Sequence, residues 1–313
     1  MDSITKEKQI KNLLYNIKSQ YILISILEIL AQKQKFKLFN YNKNIQQILK
    51  IDINMYKHLY NQIEIEIFPI SIKKENEFIN IRDDYKAPYH FYFNDEKKET
   101  MRTFFTDEEN IKKIKIIIDH KYDSLERLFE RINCIEKINF IKFNRTDIRD
   151  MSHLFEGCSV KEINFFKFKT DNVVYMGEMF CCCAQLEKLD LSKFNTSKVK
   201  IMSNMFNSCK SLRKLDLHNF NTEKVIYMND MLRDCINLRE LDISNFSSKN
   251  LYSAEFMFSN SYRLVDIKVN ENFYIDCKKR TGVTFNCNEY TQNIFKDKIR
   301  NENDNDDSIC FLI

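Results

Sequence analysis

The sequence predicts an α/β solenoid: an array of about 26-residue units, each a strand followed by a short helical turn, with an α-helical N-terminal region and a small β-rich cap before it. Three observations predict it. One set of apolar residues returns at fixed spacing through half of the chain. Inside each unit the spacing changes from alternation to steps of three and four. The units at both ends of the array are incomplete.

The clearest unit runs Leu186, Leu189, Leu191, Phe194-Asn195-Thr196, Val199, Met202, Met205-Phe206, Cys209. The same letters return as Leu212, Leu215, Leu217, Phe220-Asn221-Thr222, Val225, Met228, Met231-Leu232, Cys235, and again from Leu238 through Leu241, Ile243 and Phe246 to Met257-Phe258 and Ser261. Two earlier units begin at Ile135 and Val160. Alternation at Leu215-x-Leu217 predicts a half-buried strand. Steps of three and four from Val225 to Cys235 predict a helical turn on the same core. A single unit has no second layer to bury against, so neighbours must stack. Ile111, Ile114 and Ile116 begin a shortened entry unit, and Leu264, Ile267 and Val269 form a last strand without a second half. Incomplete units suit the ends of such an array.

The text Leu189-Asp-Leu-Ser-x-Phe-Asn-Thr, followed by Val199, Met202, Met205-Phe206 and Cys209, resembles the BspA-like leucine-rich repeats of bacterial surface proteins and large protist families. The resemblance covers residues 111–269. It implies a binding or adhesion role without catalysis. The bacterial surface members are secreted, whereas the N-terminus here, Met1 to Lys8, is charged with no apolar segment behind it and does not read as an export signal.

Several residue types recur in register. Cys158, Cys183, Cys209 and Cys235 share one position and read as a buried column of thiols, because the spacing lacks clustered metal ligands. Asn144, Asn195 and Asn221 share another and read as a ladder that satisfies turn backbone between coils. Asn144, Asn195 and Asn245 also head formal glycosylation triplets, which need a secretory route to be used. On the outward strand positions lie Lys188, Asp190, Arg213, Lys214, Asp216, His218, Arg239 and Asp242. This face is the expected partner-binding surface, against the alternative of a solvated, charge-paired sheet. Calcium on the Asp column is disfavoured, since hard cations want six to eight converging oxygens. No metal site, catalytic group or cofactor is expected.

Four segments follow: residues 1–63 helical, 64–109 β-rich, 110–270 repeats, and 271–313 a C-terminal cap and polar tail. Ile10, Leu13-Leu14, Ile17 and Tyr21 fall at helical spacing, and Ile22 to Leu30 is apolar nearly all round. Residues 16–50 resemble an F-box, which implies recruitment of a ubiquitin-ligase adaptor; the Leu-Pro opening and late Trp of that family are absent. Runs such as Ile65-Glu-Ile67 and His90-Phe-Tyr-Phe93 suggest strands.

Composition narrows the function classes. A net charge of +4 from 49 basic and 45 acidic residues is too small for nucleic acid to be the main partner. Residues 1–156 contain no glycine, so a phosphate-cradling loop is hard to build there. No nucleophile, base and orienting group are set at recognisable spacing, and an enzyme is not expected. The last residues, Cys310-Phe311-Leu312-Ile313, fit a C-a-a-X prenylation box on a polar tether, with geranylgeranyl favoured by the apolar last residue. Comparable boxes occur in protist relatives of the repeat family. The expectation is a prenylated, non-enzymatic interaction protein held peripherally at the cytosolic face of a membrane, binding a protein partner through its strand face. The alternatives are an F-box-type substrate receptor and a cell-surface adhesin.

Overall fold

The computed structural model describes residues 43–50, 60–72, 74–81, 89–119, 122–270 and 273. The chain divides into two compact units, Met1–Asn61 and Gln62–Ile313. In the first, the described residues include helix α1 (Lys43–Leu49) with Ile45 buried. Most of the expected helical region, the greater part of the F-box resemblance, nearly all of the C-terminal cap and Cys310 lie outside the described residues.

The second unit is built from strands β1 (Ile63–Pro69), β2 (Glu75–Glu77), β3 (Tyr89–Phe93), β4 (Phe104–Thr106), β5 (Ile114–Ile118), β6 (Ile135–Phe143), β7 (Glu162–Asn164), β8 (Lys214–Asp216), β9 (Glu240–Ile243) and β10 (Asp266–Val269). Alternation sets which side of each strand is buried. Ile63, Ile65 and Ile67 of β1 face the same core as Ile114, Ile116 and Ile118 of β5. The largest sheet has the order β3-β5-β1-β6-β7 and is mixed: β1 runs antiparallel to β5 and β6, while β6 and β7 are parallel. Strands β10-β9-β8 form a separate parallel sheet, and β2 and β4 a small antiparallel pair.

The expected α/β solenoid is therefore overturned. The chain is nearly all β among its described residues, with α1 the one α-helix whose full extent is described, helical residues besides it at Tyr60, Asn61 and Phe273, and Asp107–Glu109 a 3-10 turn. The strand wall is not continuous either: at the unit of Leu189 only the bridge Glu162↔Lys188 forms, and Leu189 is half-buried. The segment expected to be helical fails for a physical reason. In the unit after Val173, the amides of Met176, Glu178, Phe180 and Cys182 bond to the carbonyls of Ile201, Ser203, Met205 and Asn207 in the next unit, at 2.7–3.1 Å. The amides between them fold back three residues, Met179 to Met176 and Cys181 to Glu178. Every second amide is given to a neighbouring unit, so a continuous i to i−4 ladder cannot form. Glu178 and Cys182 take left-handed conformations, φ 59° and 58°, as do Asn204, Ser208, Asp230 and Asp234 in the following units. A run of β-turns places Met, Met-Phe and Cys inward at the same steps as a helix would.

Stacked repeats pack like against like. Phe129, Phe155, Phe180 and Phe206 form a column of near-parallel rings at 5.6–5.7 Å. The four column cysteines are buried, and the thiols of Cys183, Cys209 and Cys235 donate to the carbonyls of Phe155, Phe180 and Phe206 at 2.9–3.1 Å. The expected Asn ladder is corrected. Asn195 and Asn221 are exposed, and their side-chain Oδ1 atoms accept locally from the amides of Ser197 and Glu223. The neighbouring threonines make the rungs. Thr196 Oγ1 donates to the Asn221 carbonyl at 2.9 Å and accepts from the Asn221 amide at 2.8 Å. Thr170 and Thr222 do the same with Asn195 and Ser247.

Candidate interaction surface

The outward strand positions form a flat, charged face. Lys188, Asp190, Arg213, Lys214, Asp216, His218 and Arg239 are exposed, and Asp242 is half-buried. Ion pairs cross between neighbouring strands: Lys137 to Glu162 at 2.7 Å, Lys214 to Glu240 at 2.8 Å and Lys268 to Asp242 at 3.2 Å. Lys188, Arg213 and Arg239 have no acidic partner within ion-pair distance among the described residues.

The aspartates on this face have a local task. Asp190, Asp216 and Asp242 each accept, through Oδ1, from the amide two residues on, at 2.9–3.1 Å, and so fix the turn after the strand. At Asp190 the Ser192 hydrogen bonds hold the carboxyl below its ordinary value. At Asp216 and Asp242 burial opposes the charge, and hydrogen bonds involving His218 and Ser244 outweigh it. His218 Nδ1 lies 2.6 Å from Asp216 Oδ1, so this histidine supports the turn.

A second exposed surface is apolar. The residue before the first inward methionine, or before Ala254 in the last unit, makes a parallel bridge to its counterpart, Tyr175↔Ile201↔Tyr227↔Ser253. Tyr175 and Tyr227 remain 42% and 38% exposed, Tyr252 is 72% exposed, and Ile201 is half-buried. The rings of Tyr227 and Tyr252 meet edge to face at 5.6 Å. The exposed rings of Tyr175 and Tyr227 thus stand on bridged backbone either side of Ile201, and that of Tyr252 stands next to bridged Ser253. Sequence reasoning passed over these positions. The signal lay in Val-Val-Tyr175-Met, Val-Lys-Ile201-Met and Val-Ile-Tyr227-Met: a bulky apolar side chain recurs between the inward Val and the inward Met, outside the core spacing.

A third feature was equally invisible to local spacing. His153, Glu156 and Glu178 converge with their ligand-type atoms within 4.8 Å of one another. The third member comes from the next unit, so neighbours in the fold are distant in the chain. A groove of about 1080 Å³ is lined in part by Asn80, Arg127, Glu130 and Cys134. Its charged lining pairs internally, Arg127 with Glu130 at 2.9 Å, and the Cys134 thiol is committed to the Glu77 carbonyl. Among the described residues no helix is long and apolar enough to cross a membrane.

One family model matches the chain, that of "Mycoplasma protein of unknown function, DUF285", over residues 123–216 and 182–297. The two overlapping matches together span more than half of the sequence. No curated protein and no solved structure gives a match.

Proposed function

The chain belongs to the DUF285 family, and from that premise we propose that it is a non-enzymatic protein-binding platform of the BspA-like leucine-rich-repeat kind. The observation that carries this reading is the stripe of exposed Tyr175, Tyr227 and Tyr252 around half-buried Ile201: Tyr175, Ile201 and Tyr227 are joined by bridges, and Tyr252 adjoins bridged Ser253. Tyrosine supplies a large contact area at small conformational cost, and such residues dominate the energetics of protein interfaces. The stripe serves as the anchor for a partner with an apolar surface.

The strand face supports a second contact. Lys188, Arg213 and Arg239, left without acidic partners among the described residues, favour acidic groups on whatever docks there. The paired charges around them contribute little affinity of their own. The test is capture by the parent chain beside a variant carrying Tyr175→Ser, Tyr227→Ser and Tyr252→Ser, read by quantitative mass spectrometry. Proteins bound by the parent and lost from the variant, while its circular dichroism is unchanged, support the reading. Identical capture by both chains refutes it.

A further inference from the structure

His153 and Glu156 lie in one turn, and Glu178 occupies the equivalent of the His153 position in the next unit. Their backbones are fixed by the inter-unit ladder: the His153 amide bonds to Gly177 O at 3.0 Å, Phe155 to Met179 O at 2.9 Å and Glu178 to Ser203 O at 2.9 Å. His153 Nδ1 is 2.5 Å from a Glu156 oxygen and 3.4 Å from a Glu178 oxygen. All three side chains are partly withdrawn from water, 19%, 14% and 36% exposed respectively.

The charges do not balance within the group. A single imidazole nitrogen donates at most one proton, so Nδ1 can serve only one of two carboxylates. Arg131 reaches Glu156 only at 3.7 Å from a side chain that is 76% exposed. Glu178 has His153 as its one ion partner among the described residues. A divalent cation between the three groups would neutralise both carboxylates and take the nitrogen lone pair at once. Bonds of about 2.0–2.2 Å in a tetrahedral arrangement separate neighbouring ligand atoms by about 3.3 Å. The His153–Glu178 edge, 3.4 Å, already has that length, and the His153–Glu156 edge, 2.5 Å, would have to lengthen on binding.

We propose that His153, Glu156 and Glu178 bind one divalent transition ion of the zinc class, with a fourth position open to solvent. Imidazole with two carboxylates suits such an ion, whereas calcium wants more oxygens than this group offers. The thiols of Cys181 and Cys182 stand 3.6 Å apart, placed beside Gly157 by a 2.7 Å bond from its amide to Cys181 O, and they are the natural competitors for the same ion.

The test uses the full chain, stripped with a chelator, kept reduced, and titrated with Zn²⁺ by calorimetry and with Co²⁺ by visible absorption. The proposal expects one ion per chain and a raised melting temperature with zinc. His153→Ala and Glu178→Gln each weaken binding by about tenfold or more, in line with the sensitivity of metal sites to their supporting groups, and Cys182→Ser leaves it unchanged. Glu178→Gln keeps the side-chain shape at a part-exposed position, so it decides the matter if His153→Ala fails to fold. No zinc binding by the parent overturns the proposal. Binding that survives Glu178→Gln but is lost in Cys182→Ser overturns it equally, by assigning the ion to the thiols.

Discussion

Thr222→Val removes one rung between stacked repeats while keeping the side chain's shape. Thr222 is fully buried; its hydroxyl donates to Ser247 O at 3.0 Å and accepts from the Ser247 amide at 2.7 Å. Each bond contributes a net of about 0.5–1.5 kcal/mol, and an unsatisfied buried partner costs about 1–3 kcal/mol. Losing both bonds, with Ser247 left partly solvated, therefore costs about 2–4 kcal/mol. Thr222→Ser is the matched control, since it keeps the hydroxyl and loses one methyl, about 1 kcal/mol. The assay is urea unfolding followed by circular dichroism. With slopes of about 1–3 kcal/mol per molar urea, the valine variant should unfold about 1 M or more below the parent, and the serine variant well inside that interval. A valine variant as stable as the parent, or a serine variant less stable than the valine one, would refute the threonine rung.

Phe206→Ala opens the stack of rings beside Phe180 and should cost about 3–5 kcal/mol in the same assay. Cys209→Ser should cost about 1 kcal/mol or less, because the Phe180 carbonyl is in place to accept from a hydroxyl, as the Leu232 carbonyl already does from Ser261 at 2.7 Å. Among the described cysteines, native alkylation followed by peptide mass spectrometry should modify exposed Cys182 first, with Cys158, Cys183, Cys209 and Cys235 reacting only after unfolding. Burial pushes the Cys158 and Cys235 thiols up to about 12 from 9.0. The folded state thus favours the protonated thiols: their contribution is complete below pH 9.0 and is lost as pH rises toward about 12. The urea midpoint should fall across that window, and a flat profile would contradict thiol burial.

How much of this was legible in the sequence depended on what the signal measured. The repeat length and the inward residues were readable, because Leu215, Met228 and Cys235 return at fixed spacing and burial needs only spacing. The backbone that joins them was not. Steps of three and four serve a helix and a run of β-turns alike, and what separates the two is the direction of alternate amides, which only the neighbouring unit decides. Left-handed residues gave a partial clue at Asn204, Asp230 and Asp234, yet Glu178 and Phe256 take the same conformation with no such preference. The rung was assigned one residue early, to Asn195 and Asn221, since both asparagine and threonine recur in the column and either can bond to backbone. Outward residues were legible only where they were charged. Lys188 through Asp242 stand out as a face, while Tyr175 and Tyr227 fall outside the recurring core positions and carry no charge to mark them. The grouping of His153 with Glu178 needed the stack itself.

Affinity shows whether the tyrosine stripe anchors a protein partner. A protein captured by the parent is purified, and its dissociation constant is measured on the parent, on the triple Tyr175→Ser, Tyr227→Ser, Tyr252→Ser variant, and on a Lys188→Gln, Arg213→Gln, Arg239→Gln variant. Three anchors at about 1 kcal/mol or more each predict a loss of about 100-fold or more for the stripe variant. The strand-face variant should change chiefly the association rate and its salt dependence. A stripe variant that binds as tightly as the parent would show that the tyrosines are not the anchor.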